Sequence, residues 1–198
     1  MTIHYLPFAF MLLLLATPFM ANADAPSAAP SPSATISDVR LQDLKSYTYA
    51  FVSTQTTLNK LQDSIAQLMP RVEAAMDSGA LRIMGPCVFT YHGASEDRNK
   101  PFTLDIGMII KDGTTAPDGF QLIKVPSPHC ATVIFTGPAS QLPQAYGKLY
   151  GELGRRGLQP TDVSREVYLY WESLDSTNNV IQLQAELSPS PLSPSPGM

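Results

Sequence analysis

The sequence predicts an α/β protein of the α+β kind. Two strand-helix-strand-strand units, related by a pseudo-twofold, share an antiparallel sheet with two helices on one face and a ligand groove on the other. Three observations predict this. Helical periodicity occurs twice, each time preceded by one strand-like run and followed by two. About 150 residues look foldable once the low-complexity ends are set aside, which suits one domain with a sizeable core. Phe51 leads Leu58 by seven positions as Phe135 leads Leu142, an internal offset of 84.

The first unit opens with SYTYAFVST, residues 46–54, whose aromatic and β-branched residues suit a strand. Leu58, Leu61, Ile65, Leu68, Val72 and Met76 then recur at spacings of three and four, a helix that Gly79 ends. Pro70 lies inside it and predicts a kink or a split. CVFTYHG (87–93) and PFTLDIGMII (101–110) are the next two strands. In the second unit HCATVIFTG (129–137) is a strand, and Ser140 is placed to cap a helix. That helix carries Leu142, Ala145, Tyr146, Leu149, Tyr150 and Leu153 on one stripe before Gly157. REVYLYWES (165–173) and NNVIQLQAEL (178–187) complete the pattern, joined by a turn-like LDSTNN.

The ends read differently. An apolar run from Phe8 to Met20 followed by Ala21-Asn22-Ala23 predicts a cleaved signal peptide over 1–23, and hence an exported protein, periplasmic or extracellular. The run is shorter than the roughly 20 residues that span a bilayer, so no stable membrane insertion is expected once the signal is removed. Residues 24–45, rich in Pro, Ser and Ala, read as a linker, and 188–198 as a disordered Pro/Ser tail. The domain itself is then 46–187, with folded chain expected from near Ile36. Thirteen basic against 17 acidic residues give a net charge of −4 with no basic run, which argues against nucleic acid as a partner. Cys87 and Cys130 are either a disulfide or two buried thiols, and buried thiols are the simpler reading.

The chemistry concentrates in SREVYLYWES, residues 164–173. Strand alternation puts Glu166, Tyr168, Tyr170 and Glu172 on one side and Val167, Leu169 and Trp171 on the other. The aliphatic set suits the underside of a helix, which leaves the carboxylate and the rings to wall a groove. Glu172, near the strand end, reads as surface.

Several stretches together resemble the GyrI-like, or AraC-type effector-binding, domain family. They are GPCVFTYHG (85–93), PFTLDIGMII (101–110), CATVIFTGPASQLPQAYGKLYGELGRRGLQP (130–160), REVYLY (165–170) and the closing strand NNVIQLQAEL. The resemblance covers residues 46 to 187. It implies a concave pocket between two halves, in which a glutamate on the next-to-last strand faces aromatic rings and receives lipophilic cations. Here that glutamate is Glu166. Tyr168, Tyr91, Phe89, Tyr146 and Tyr170 are the candidate rings, and Asp105 is a second candidate acid. The partner implied is a small amphipathic molecule, cationic or aromatic, with no cofactor. The chain lacks a helix-turn-helix segment, so only the ligand-binding part of the family's role carries over.

Two other classes use the same residues. A small-molecule hydrolase would employ Glu166 as general base with Tyr168 or Tyr91 as donor. A protein-interaction module would fill the groove with a peptide. Nucleophilic and metal chemistry find no support. There is no G-x-S-x-G, His129 and Cys130 are adjacent and would point apart on a strand, and His92 and His129 have no metal-ligand spacing.

Overall fold

In a computed structural model of the chain, residues 34–188 are described; the expected signal peptide, residues 24–33 of the linker and the Pro/Ser tail beyond Ser188 lie outside them. Among the described residues nine strands form one antiparallel sheet: β1 (Thr35–Ile36), β2 (Arg40–Asp43), β3 (Tyr47–Thr56), β4 (Ile83–His92), β5 (Phe102–Ile110), β6 (Gln121–Val125), β7 (His129–Thr136), β8 (Pro160–Tyr170) and β9 (Val180–Leu187). Two helices, α1 (Leu61–Asp77) and α2 (Leu142–Arg156), follow β3 and β7. The spatial order is β1-β7-β9-β8-β4-β5-β3-β6, with β2 also paired to β7. The two units thus meet at β4 and β8, in the middle of the sheet.

The duplication is present, at a different offset. A single 3₁₀ turn precedes each helix, at Leu58–Lys60 and Ala139–Gln141, and the helices begin at Leu61 and Leu142, an offset of 81 in both cases. Past the helices the offset becomes 77: β4 shifts register against β5 between Ile83 and Cys87 as β8 does against β9 between Pro160 and Ser164, and Phe89 and Glu166, 77 apart, face each other, so the internal axis runs between them. Phe51 and Phe135 are not equivalent. Phe135 packs under α2 with Leu149 and Ile181, whereas Phe51 stacks on Tyr49 on the opposite face of the sheet. Spacing from a strand residue to a helix residue preserves no facing information, because the two periods differ.

Both helices do lie on one face. Residues paired across antiparallel strands share a side, and Val52, Ile106, Phe89, Glu166, Leu183 and Val133 form one such row. α1 covers its β3–β5–β4 end through Ile65, Leu68, Met69 and Val72, and α2 covers its β7–β9 end through Ala145, Leu149 and Leu153. The groove therefore opens between the helices, on their own face, and not on the opposite one. Val167, expected under a helix, packs on the other face with Tyr49, Phe51, Val88 and Val125.

Pro70 does not split α1. It sits on the exposed side, and the Ala66 carbonyl that it deprives of a donor is also on an exposed residue, where water can supply the bond. Ser140 falls within the 3₁₀ turn and makes no capping bond; Gln141 precedes α2 instead. Gly157 ends α2 at φ 66°, and Leu158 N–H donates to Leu153 O, a left-handed cap that favours glycine. Two strands, β1 and β2, occupy the last part of the segment read as linker, pairing with β7, and β6 adds a strand the sequence pattern does not reveal. The expected strands β3, β4, β5, β7, β8 and β9 are all present.

Chain connectivity forces the sheet to curl. β2 and β3 are joined by residues 44–46 alone, although six strand spacings separate them in the sheet order. A flat sheet would put them about 29 Å apart, whereas the link spans at most about 14 Å. β6 and β7, joined by residues 126–128, impose the same constraint. The sheet curls toward the face without helices, since Tyr47 of β3 comes within electrostatic reach of Cys130 and Glu186 at the far side. Cys87 and Cys130 lie on opposite faces with β8 and β9 between them, and both are free thiols.

Candidate functional site

A cavity of about 150 Å³ lies between α1 and α2 over the central strands. From α1, Leu61, Ile65 and Met69 line it at a spacing of four, and Leu142 lines it from the start of α2. Cys87, Phe89 and Tyr91 alternate into it from β4, as do Glu166 and Tyr168 from β8. Phe89 is the register partner of Glu166, and its ring lies 4.7 Å from that of Tyr168.

Glu166 is 5% exposed. Tyr146 Oη, from α2, donates to its Oε1 at 2.6 Å, and Tyr168 Oη donates to its Oε2 at 2.7 Å. The Tyr91 phenol is turned to the same carboxylate. Among the described residues no Lys, Arg or His forms an ion pair with it. Burial pushes the Glu166 pKa above its ordinary value, and the three phenols pull the other way without cancelling the shift. Burial, and then the charge on Glu166, hold the hydroxyls of Tyr146, Tyr168 and Tyr91 protonated well above the usual phenol range. At ordinary pH each therefore keeps the proton with which it donates to the carboxylate. A carboxylate without a buried countercharge is poised to accept one.

The candidate residues thus divide. Glu166, Tyr168, Tyr91, Phe89 and Tyr146 come together around one cavity. Tyr170 and Asp105 do not. A register shift between Tyr168 and Tyr170 breaks the alternation of β8, leaving Tyr170 50% exposed with its hydroxyl donating to Glu172 Oε1. The same shift brings in Trp171, which lines the cavity and stands edge-on to Tyr168 at 5.4 Å. Asp105 pairs in register with Thr90 and points to the helix-free face, where Ser53 Oγ and His92 Nε2 contact it at 2.5 and 2.8 Å.

Trp171 and Leu174 are held by an ordered β8–β9 hairpin. Asn179, fully buried, donates to Ser173 O and Ser176 O and accepts from Glu172 N–H, and Leu174 O accepts from Ala139 N–H beside α2. Asn179→Ala should cost about 1–3 kcal/mol through the orphaned backbone groups. Denaturant titration would read that loss, and the Glu172 amide should exchange faster with solvent. The sequence offers no pattern for this loop beyond its turn composition. Leu61, Ile65 and Met69 are legible as a helical stripe, but a stripe does not distinguish core from cavity wall.

Among solved structures, EcmrR in its DNA complex is similar at a TM-score of 0.63 and 18% identity, over 76% of this chain and 57% of that one. The present chain therefore spans little more than half of that relative. The EcmrR C-terminal domain alone is similar at 0.56 and 21%, over 76% of this chain and 97% of that one. SAV2435 bound to tetraphenylphosphonium is similar at 0.57 and 12%, over 77% and 94%. No curated protein matches. At these identities the structural likenesses speak for the fold. The profile of the GyrI-like small molecule binding domain matches residues 37–181, and the chain belongs to that family.

Proposed function

We propose that the chain is an exported receptor for small lipophilic cations, held in the aromatic cavity by the charge of Glu166. The observation that carries this reading is a buried carboxylate with both oxygens bonded to phenols and no ion pair to balance it among the described residues. Because each oxygen already accepts a hydroxyl, a guest gains most from through-space charge and from contact with ring faces. That favours cations without N–H donors, such as quaternary ammonium or phosphonium groups, over primary amines. Ring contacts add about 0.5–2 kcal/mol each. A cavity of about 150 Å³ holds roughly one aromatic ring, so larger cations would insert a single arm or displace the lining. The tetraphenylphosphonium bound to SAV2435 supports the choice of ligand class. Export rests on the N-terminal sequence pattern.

The test is calorimetric titration with benzyltrimethylammonium, one ring and one quaternary charge, against its neutral isostere neopentylbenzene. The raised pKa of Glu166 fixes the sign. As pH falls through that value the proton replaces the guest as countercharge, so cation affinity should fall and neopentylbenzene affinity should not change. Stability of the unliganded protein should move the opposite way. The folded state holds its proton more tightly than the unfolded chain, so the Glu166 contribution is present below pH 4.5 and is lost as pH rises through the folded pKa. A cation affinity independent of pH between about 4 and 8 would remove Glu166 from the reading.

A further inference from the structure

The helix-free face carries a second constellation that the cavity does not use. One register row crosses six strands there: Ser53, Asp105, Thr90, Arg165, Gln184 and Thr132. Every one is polar, and all but Ser53 are buried, although among the described residues no helix covers this side. The curl of the sheet encloses them. Most of their polar atoms have protein partners. Arg165 Nη2 donates to Glu186 Oε2 at 2.8 Å, Gln184 Nε2 donates to Gln182 Oε1 at 2.7 Å, and Gln42 Nε2 donates to Thr132 Oγ1 at 2.9 Å.

Two atoms stand apart. Arg165 Nη1 and Gln184 Oε1 are buried with no hydrogen-bond partner among the described residues. Arg165 is 7% exposed and Gln184 6%, and they are direct partners in the β8–β9 register. A buried donor or acceptor left unmade is costly and rare in native proteins, and two on adjacent strands share one remedy. The charges nearby decide its chemistry. An anion would satisfy Arg165 but would face Glu186 and, along the row, Asp105. A cation would satisfy Gln184 but would meet the guanidinium. A hydroxyl accepts from Nη1 and donates to Oε1 through the same oxygen, and adds no charge.

We propose that the curled, helix-free face holds a hydroxyl group bridging Arg165 Nη1 and Gln184 Oε1, a polar site separate from the Glu166 cavity. The hydroxyl comes from a buried water or from a small polyol, and the two are separable by experiment. A crystal structure at atomic resolution, grown and frozen without polyols, should show one ordered oxygen within hydrogen-bond distance of both atoms if water is the occupant. If a polyol is the occupant, myo-inositol should give a saturable calorimetric titration that is lost in Gln184→Leu. Gln184→Glu serves as a second variant. It gives Arg165 a direct carboxylate partner, so the bridging oxygen or the titration should vanish even if Gln184→Leu folds poorly. Finding Nη1 and Oε1 bonded to each other or to other protein groups, with no inositol heat, would overturn the proposal. Running the same measurements on Glu166→Gln keeps the two sites apart, because that substitution faces the helices and should leave this site unchanged.

Discussion

Glu166→Gln should weaken benzyltrimethylammonium binding by about thirtyfold or more at pH 8, which corresponds to the roughly 2 kcal/mol or more lost when one partner of a buried charge pair is removed. The substitution keeps the size of the side chain and one carbonyl oxygen, so either Tyr146 or Tyr168 can still donate to it. The second phenol would face an NH₂ group and lose its acceptor. Against that loss stands the removal of a buried charge whose burial already raises its pKa. The two effects oppose each other in the unliganded protein, so its melting temperature at pH 8 should stay level or rise. Binding and stability therefore separate cleanly. A variant that melts like the wild type but still binds the cation at wild-type affinity would exclude Glu166 as the countercharge. Neopentylbenzene should bind both proteins alike, since ring contacts with Phe89 and Trp171 do not depend on the acid.

The second large effect is on folding. A Cβ added at Gly107 would lie 1.9 Å from Ala50 O and 2.6 Å from Phe51 Cα, both backbone atoms of the paired strand β3. No rotamer change relieves a clash with backbone, so Gly107→Ala must push β5 away from β3 in the middle of the sheet. That strand carries Leu104, Ile106 and Met108, all essentially unexposed, and they form much of the floor beneath α1. Overpacking of this kind costs about 1–3 kcal/mol where side chains can yield. Here they cannot, so the loss should exceed that range, a large part of the stability of an ordinary domain. Circular dichroism on heating should show a melting temperature lowered by roughly ten degrees or more, or no cooperative transition. A wild-type melting curve would mean that β3 and β5 are not in this register.

How much of this is legible in the sequence depends on what controls each residue's position. Periodicity identifies both helices and six strands, because an amphipathic stripe or an alternating run is a local property. Short edge strands such as β1, β2 and β6 escape because they owe their pairing to β7 and β3 and not to their own composition. The site is readable where alternation holds. Glu166 and Tyr168 share a side by strand geometry alone, and Tyr146 belongs to the α2 stripe. The reading fails where alternation fails, so that Tyr170 turns outward and Trp171 inward across the shift after Tyr168. Asp105 is misplaced by it because cross-strand register is a tertiary fact. Nothing within PFTLDIGMII says which of its two faces meets Glu166. The side chosen by the helices is likewise ambiguous, since Val167 and the rings of the Glu166 face are both suited to burial.

The internal axis between Phe89 and Glu166 has a consequence for stoichiometry. A 77-residue step from Glu166 arrives at Phe89, its own register partner, so an apolar ring stands in one half where the carboxylate stands in the other. The repeat thus hands its acid to one half alone, and the compartment it frames is lopsided. A guest with a charged head and an apolar end should enter in a single orientation, one molecule per polypeptide. A dication with charges at both ends should gain nothing from its second head.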